Sequence, residues 1–274
     1  MTIRGILPML VVSMMVLTPL SMANHEGGDA LPASTEPRMS QAENVSGWLA
    51  SAGGASYERV SAIVPLPNGS MLVGGLFEQN VEFHGDVIGF SSDDSSFGLD
   101  FFLGWLDENG TWTGTMAGTS SGLDGIEAMD RTSDGTVIIA GTFCDMTKGD
   151  ACNMTLGELP PVNKSADDHE NGVFVAGMTP AGEWMWATSL SNPYQLSVID
   201  MMVGPNDEVH LAVLHRDSLT SGDELAPGSV SEDSIAVLVL DSTGNHLHMH
   251  TVFSSQNLEN IGSLCSDYSG QTYL

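Results

Sequence analysis

A turn followed by an apolar strand is written three times in this chain, and a fourth copy begins near its end. The first is Pro67-Asn68-Gly69-Ser70 leading into Met71-Leu72-Val73-Gly74-Gly75-Leu76-Phe77. It returns as Ser133-Asp134-Gly135-Thr136 before Val137-Ile138-Ile139-Ala140-Gly141-Thr142-Phe143, and as Pro205-Asn206-Asp207-Glu208 before Val209 to His215. The last begins at Tyr268-Ser269-Gly270-Gln271. The turn residues Gly69, Gly135, Asp207 and Gly270 stand 66, 72 and 63 residues apart. Recurrence at that spacing means one supersecondary unit reused, each copy burying its faces only against its neighbours.

Each copy reads as four strands. The first runs over Val60 to Leu66, Ile126 to Arg131, Val198 to Val203 and Ile261 to Ser266. The second, after the turn, is an almost continuous apolar run, which suits a strand covered on both faces. The third is Asp100 to Leu106, Gly172 to Met178 and Ser234 to Leu240, each closed by a turn ending in Gly110, Gly182 or Gly244. Glycine suits those turns because they need positive φ. The fourth begins at Trp112, Trp184 and His246. No sustained helical period appears after the first 23 residues. The expected fold is all-β, with propeller-type four-stranded antiparallel blades in about three complete repeats and a truncated fourth.

The copies exceed the ~40–45 residues of a compact blade. The excess lies between strands two and three, over 78–98, 144–171 and 217–233. Insertions at equivalent places in a propeller project from one face, where binding usually occurs.

The pattern of an Asn/Asp-Gly turn, Val-Gly-Gly-Leu-Phe, an acidic loop, Asp-Phe-Phe-Leu-Gly-Trp-Leu-Asp and a following Gly and Trp resembles the secreted β-propeller repeat family SBBP. The resemblance spans roughly Gly47 to Leu274. The third copy departs from it at Asp207 and Val213-Leu214. It implies an extracellular propeller and carries no catalytic residue.

The ends fit export. Arg4 precedes an apolar run from Gly5 to Leu20, and Ser21-Met22-Ala23 offers small residues before a cut, so residues 1–23 read as a signal peptide with the mature chain starting near Asn24. Residues 24–46 read as a flexible acidic leader, and 47–274 as the repeat domain. No second segment is long and apolar enough to span a membrane. Trp48 to Ser51 sits where a fourth strand belongs, and the last copy stops inside its second strand. The expectation is therefore a fragment of a longer product, its blades forming an open arc.

Once Arg4 is gone, 35 acidic side chains face six basic ones, a net charge of −29. Such a surface repels nucleic acid and anionic lipid. Extracellular protein and carbohydrate remain as partners. The primary expectation is a non-catalytic binding or scaffold module acting through the long acidic loops. The alternative is an extracellular hydrolase or lyase, which would bring acid, base or metal groups together from several blades.

Candidate chemistry is sparse. Cys144 and Cys152 flank a short polar loop that a disulfide could staple; Cys265 is expected to be either a buried free thiol or the partner of a cysteine beyond the end of this chain. Asp93, Asp94 and Asp100 lie in the first insertion or at its end, Asp167, Asp168 and Glu170 at the same stage of the second, and Glu232 and Asp233 in the third. Solvated loops and repeated structural calcium sites both fit these clusters, since calcium takes six to eight oxygens. No other cofactor is expected. Gly118-Thr119-Ser120-Ser121-Gly122 matches the G-x-S-x-G pattern without the helix a nucleophile elbow needs. His246, His248 and His250 alternate on an outer strand, and His246 and His248 replace Trp184 and Trp186 of the copy before, which favours packing over metal binding. Gly182-Glu183-Trp184-Met185-Trp186 resembles the tryptophan motif that locks the blades of quinoprotein propellers.

Overall fold

The computed structural model describes residues 10–14, 48–54, 56–84, 86–89, 98–118, 120, 122–145, 151–164, 171–190, 192–194, 196–221, 224–229, 231–255, 262–267 and 270–274. All of their regular structure is β. Strand β1 (Leu10–Met14) pairs antiparallel with β2 (Trp48–Ala52), Leu10 opposite Ala52.

Three four-stranded antiparallel sheets follow. The first contains β3 (Glu58–Pro65), β4 (Met71–Glu78), β7 (Leu99–Leu106) and β8 (Trp112–Gly118) in that order, with a hairpin of β5 (Asn80–Phe83) and β6 (Asp86–Gly89) inserted after β4. The second orders β9 (Leu123–Arg131), β10 (Val137–Asp145), β13 (Gly172–Met178) and β14 (Trp184–Leu190), with the hairpin β11 (Cys152–Met154) and β12 (Val162–Lys164). The third orders β15 (Leu196–Val203), β16 (Val209–His215), β19 (Asp233–Leu240) and β20 (His246–Ser255), with the hairpin β17 (Leu219–Ser221) and β18 (Glu224–Ala226). A two-stranded pair, β21 (Cys265–Ser266) and β22 (Thr272–Tyr273), comes last.

The register shows how precisely the unit repeats. Val60 lies opposite Gly75, Ile126 opposite Gly141 and Val198 opposite Val213, and the ladder shifts just after each pair. The turns between first and second strands close alike: Gly69, Gly135 and Gly270 have φ of 85°, 94° and 84°. Asp207 takes the same role in the third copy at φ 62°. Aspartate tolerates the left-handed region better than most residues. Here its carboxylate is also used, accepting the Ser133 backbone N–H at 2.6 Å and the Ser133 hydroxyl at 2.6 Å from the turn of the second sheet.

Alternate residues of one strand serve different interfaces, as the pleat dictates. Leu72, Phe101 and Leu103 of the first sheet join Ile139, Phe143 and Phe174 of the second in one buried cluster. Ile138, Ala140 and Val175 of the second join Leu211 and Leu238 of the third in another. Val73, Phe102 and Leu106 face the other way, toward Ala50 and Ala52 of β2. Every residue from Met71 to Phe77 is therefore buried. The continuous apolar runs in the sequence come from this two-sided covering.

The first strands β3, β9 and β15 lie side by side, with β9 in the middle. Polar links cross between them: the Val203 backbone N–H donates to Asp130 Oδ2 at 2.7 Å, and the Leu264 N–H donates to Asp200 Oδ2 at 2.8 Å. Tryptophans cross at the outer side. Trp105 Nε1 donates to the Pro180 carbonyl at 2.9 Å, and Trp186 Nε1 to the Ser242 carbonyl at 3.1 Å, each reaching the turn of the next sheet. A Cβ on Gly182 would come 3.1 Å from the Trp105 ring, and one on Gly244 would come 2.4 Å from the Trp186 ring.

Candidate functional site

The insertions that read as acidic loops each contain a hairpin, and each hairpin packs beneath the outer strand of its own sheet. Phe83 of β5 meets Trp112 edge-on at 4.8 Å. A Cβ on Gly157, in the β11–β12 turn, would lie 3.0 Å from Trp184. Ser221 of β17 meets His246 at 3.2 Å. Trp112, Trp184 and His246 are equivalent by register, being opposite Leu106, Met178 and Leu240.

The equivalence breaks down in what the two tryptophans do with their indole N–H. Trp112 donates to the Ser51 carbonyl of β2 at 2.9 Å and closes its junction. At the next junction a groove of about 600 Å3, lined by Met116, Ala117 and Gly118 of β8, opens beside Trp184. No described residue accepts the Trp184 N–H. Phe101 backs the groove, 6.5 Å from the Trp184 ring and nearly perpendicular to it. Met116 lines one wall, and the exposed carboxylates Glu158 and Glu183 stand at the rim. The site thus combines one half-buried indole, apolar walls and two acids.

The rim hairpin is stapled. Cys144 and Cys152 form a disulfide with Cα atoms 6.1 Å apart, as the short spacing suggested. It ties the end of β10 to the start of β11. Closing a loop over a separation of eight residues stabilises by roughly 2–3 kcal/mol in the chain-entropy account. Replacing both cysteines with serine should lower unfolding free energy by about that amount, measured by denaturant titration with and without reductant. Cys265 is free and exposed on the two-stranded pair β21–β22, so of its two alternatives the buried thiol does not hold.

The acidic candidates separate. Asp93, Asp94, Asp167, Asp168 and Glu170 lie outside the described residues. Asp233 ion-pairs with Arg216, and Glu232 accepts the Ser254 hydroxyl at 3.0 Å. Among the described residues no three His, Cys, Asp or Glu side chains converge. Asp100 is different: it is only 2 % exposed, at the start of β7. Burial pushes its carboxyl up to about 7, and the Asp124 carboxylate nearby adds to the shift. Asp124, on β9 of the next sheet, is also 2 % exposed and is raised to about 7 by burial. Hydrogen bonds from Ser120 and from the Cys144 backbone act against that rise.

Ser120, the central residue of the G-x-S-x-G match, donates its hydroxyl to Asp124 Oδ1 at 2.6 Å. Strand β9 begins at Leu123, so no helix follows it. Among the histidines, His248 and His250 stack at 5.8 Å on the exposed side of β20. His210 and His215 are buried, and burial lowers both. A cleft of about 440 Å3 lies among the first strands, lined by Asp130, Arg131, Ser133 and Asp207. Asp130 and Asp207 are already committed there to the backbone and hydroxyl links between sheets. Asn68, Asn109, Asn153 and Asn163, the described asparagines in N-x-Ser/Thr triplets, are all exposed. No described helix is long and apolar enough to cross a membrane.

Reading the sequence missed Trp184 as a site residue because it falls within the Gly182–Trp186 motif, where Trp186 is the residue that locks sheets. It missed Asp124 because that residue follows a Ser/Gly-rich stretch and its companion lies one repeat earlier. Neither a protein-family model nor a curated protein matches this chain.

Proposed function

We propose that this chain is an exported, propeller-type repeat protein of the SBBP pattern that acts as a carbohydrate-binding module, taking a saccharide in the groove beside Trp184. The observation that carries this reading is the change of role between equivalent tryptophans. Trp112 spends its N–H on a neighbouring strand, while Trp184 keeps an open face and an available donor over a groove of about 600 Å3. That volume lies within the ~300–1,000 Å3 of small-ligand sites. An indole offers an apolar face with a polar edge, which matches the mixed C–H and hydroxyl surface of a sugar.

Three observations support the wider frame. Face-to-face sheets in chain order, with their first strands adjacent, suit propeller blades. A disulfide suits an oxidising compartment. A net charge of −28 over the chain, with Glu158 and Glu183 at the rim, disfavours anionic polysaccharides and favours neutral or amino sugars. An amino-sugar ammonium would gain from both the carboxylates and the indole face.

A glycan array probed with wild-type and Trp184→Ala protein tests this. Wild type should retain neutral or amino-sugar oligosaccharides, and the variant should bind them about tenfold or more weakly. Binding confined to sulfated or uronic-acid glycans, or unchanged by Trp184→Ala, would remove the groove from consideration.

A further inference from the structure

We propose that Asp100 and Asp124 together bind a calcium ion that clasps the first sheet to the second. The two carboxylates come from different repeats: Asp100 from β7 and Asp124 from β9, strands that pack against each other across the junction. Both residues are 2 % exposed. The Oδ2 of each is buried without a hydrogen-bond partner. Asp124 Oδ1 is held by the Ser120 hydroxyl at 2.6 Å and the Cys144 N–H at 3.0 Å, so one oxygen is fixed and the other left open. Among the described residues no ion pair reaches either carboxylate.

Two buried acids across one interface, each with one carboxylate oxygen unpartnered, are costly unless something neutralises them. The donor set selects the class of ion. It consists of carboxylate and hydroxyl oxygens, and the one nearby sulfur pair, Cys144 and Cys152, is locked as a disulfide. Hard oxygen donors of this kind suit calcium rather than zinc or copper. Two carboxylates fall short of a full calcium shell, so backbone carbonyls and water complete it.

The pair is also unique in the repeat. The residues opposite Phe77, Phe143 and His215 are Asp100, Gly172 and Ser234. Asp124 stands two residues before Ile126, where the third sheet has Leu196 two before Val198. The position of Asp124 is acidic in the first sheet too, where Glu58 stands two before Val60, but only at the junction that also carries the groove and the disulfide does Asp100 face it from the neighbouring sheet. The site does not depend on the carbohydrate reading.

The test is thermal unfolding of the full chain at pH 7.5, stripped with chelator and then given millimolar calcium. Wild type should gain about 5–10 °C, the shift expected if calcium is near 100 times its Kd. Magnesium should give less, since it resists dehydration. Asp100→Asn should lose the calcium shift, yet melt in chelator at or above the wild-type temperature because a buried charge is gone. Asp124→Asn should behave alike while keeping its amide oxygen for Cys144. Should that variant fail to fold, Asp100→Asn decides, since among the described residues the Asp100 carboxyl makes no hydrogen bond to lose. Calorimetric titration should give one calcium per wild-type chain that Asp100→Asn abolishes. No shift in wild type, or an equal shift in Asp100→Asn, would overturn the proposal and leave the two acids holding a proton alone.

Discussion

Phe174→Ala should lower the unfolding free energy by about 3–5 kcal/mol, the range for emptying a buried aromatic site. Phe174 is completely buried on β13. Its ring lies 6.1 Å from Phe101 of the first sheet and 6.3 Å from Phe143 of its own. The cavity would therefore open in the contact between sheets, where the β ladders cannot collapse to fill it without giving up hydrogen bonds. Met185→Ala is the control. Met185 is on the adjacent strand but 52 % exposed, and its loss should fall within about 0.5 kcal/mol. Equal midpoints for the two variants in urea would mean that sheet-on-sheet packing does not hold the structure.

The second large effect is with pH, in calcium-free buffer. Asp100 and Asp124 are raised to about 7 in the folded chain, against ~3.9 for an unfolded aspartate. The folded state then binds more protons than the unfolded one between those values. The stability this contributes is fully present below pH ~4 and is lost as pH rises through about 7. For two carboxyls the loss is of the order of several kcal/mol. His210 and His215 act in the opposite direction: burial lowers them, so their unfolded forms take protons first and stability falls as pH drops below ~6.5. Asp107, held down by the Thr111 backbone N–H, and Asp134, held down by the Thr132 hydroxyl, matter only below pH ~4. Comparison with Asp100→Asn isolates the pair. Melting temperatures of wild type and variant should be close at pH 5 and diverge by pH 8, with the variant higher. Parallel curves would show that Asp100 does not titrate in this range.

The repeat was legible because its signals are local. Gly69, Gly135 and Gly270 mark turns by their need for positive φ, and the apolar runs after them mark strands covered on both sides. Even the exception follows a local rule, since Asp207 tolerates the left-handed backbone and adds a bond to Ser133. The inserted hairpins were not legible. Cys152-Asn153-Met154 and Val162-Asn163-Lys164 alternate buried and exposed, but three residues are too few for a period to stand out in an acidic stretch. The site residues were hidden for a different reason. Trp184 differs from Trp112 through its neighbours: the Ser51 carbonyl takes the Trp112 N–H, and no described residue takes that of Trp184. Asp100 and Asp124 become a pair only once two repeats are stacked. Such features depend on packing between repeats, and no window along one copy contains them.

The central claim is that the groove beside Trp184 binds a saccharide while the remaining tryptophans hold the sheets together. The direct measurement is an indole N–H spectrum of 15N-labelled protein, with each signal assigned by single tryptophan substitution, during titration with an oligosaccharide retained on the array. The Trp184 signal should move with added saccharide and saturate, while those of Trp105, Trp112 and Trp186, already bonded to backbone carbonyls, should stay in place. A stationary Trp184 signal at saturating saccharide, or movement centred on Trp105 or Trp186, would contradict the account.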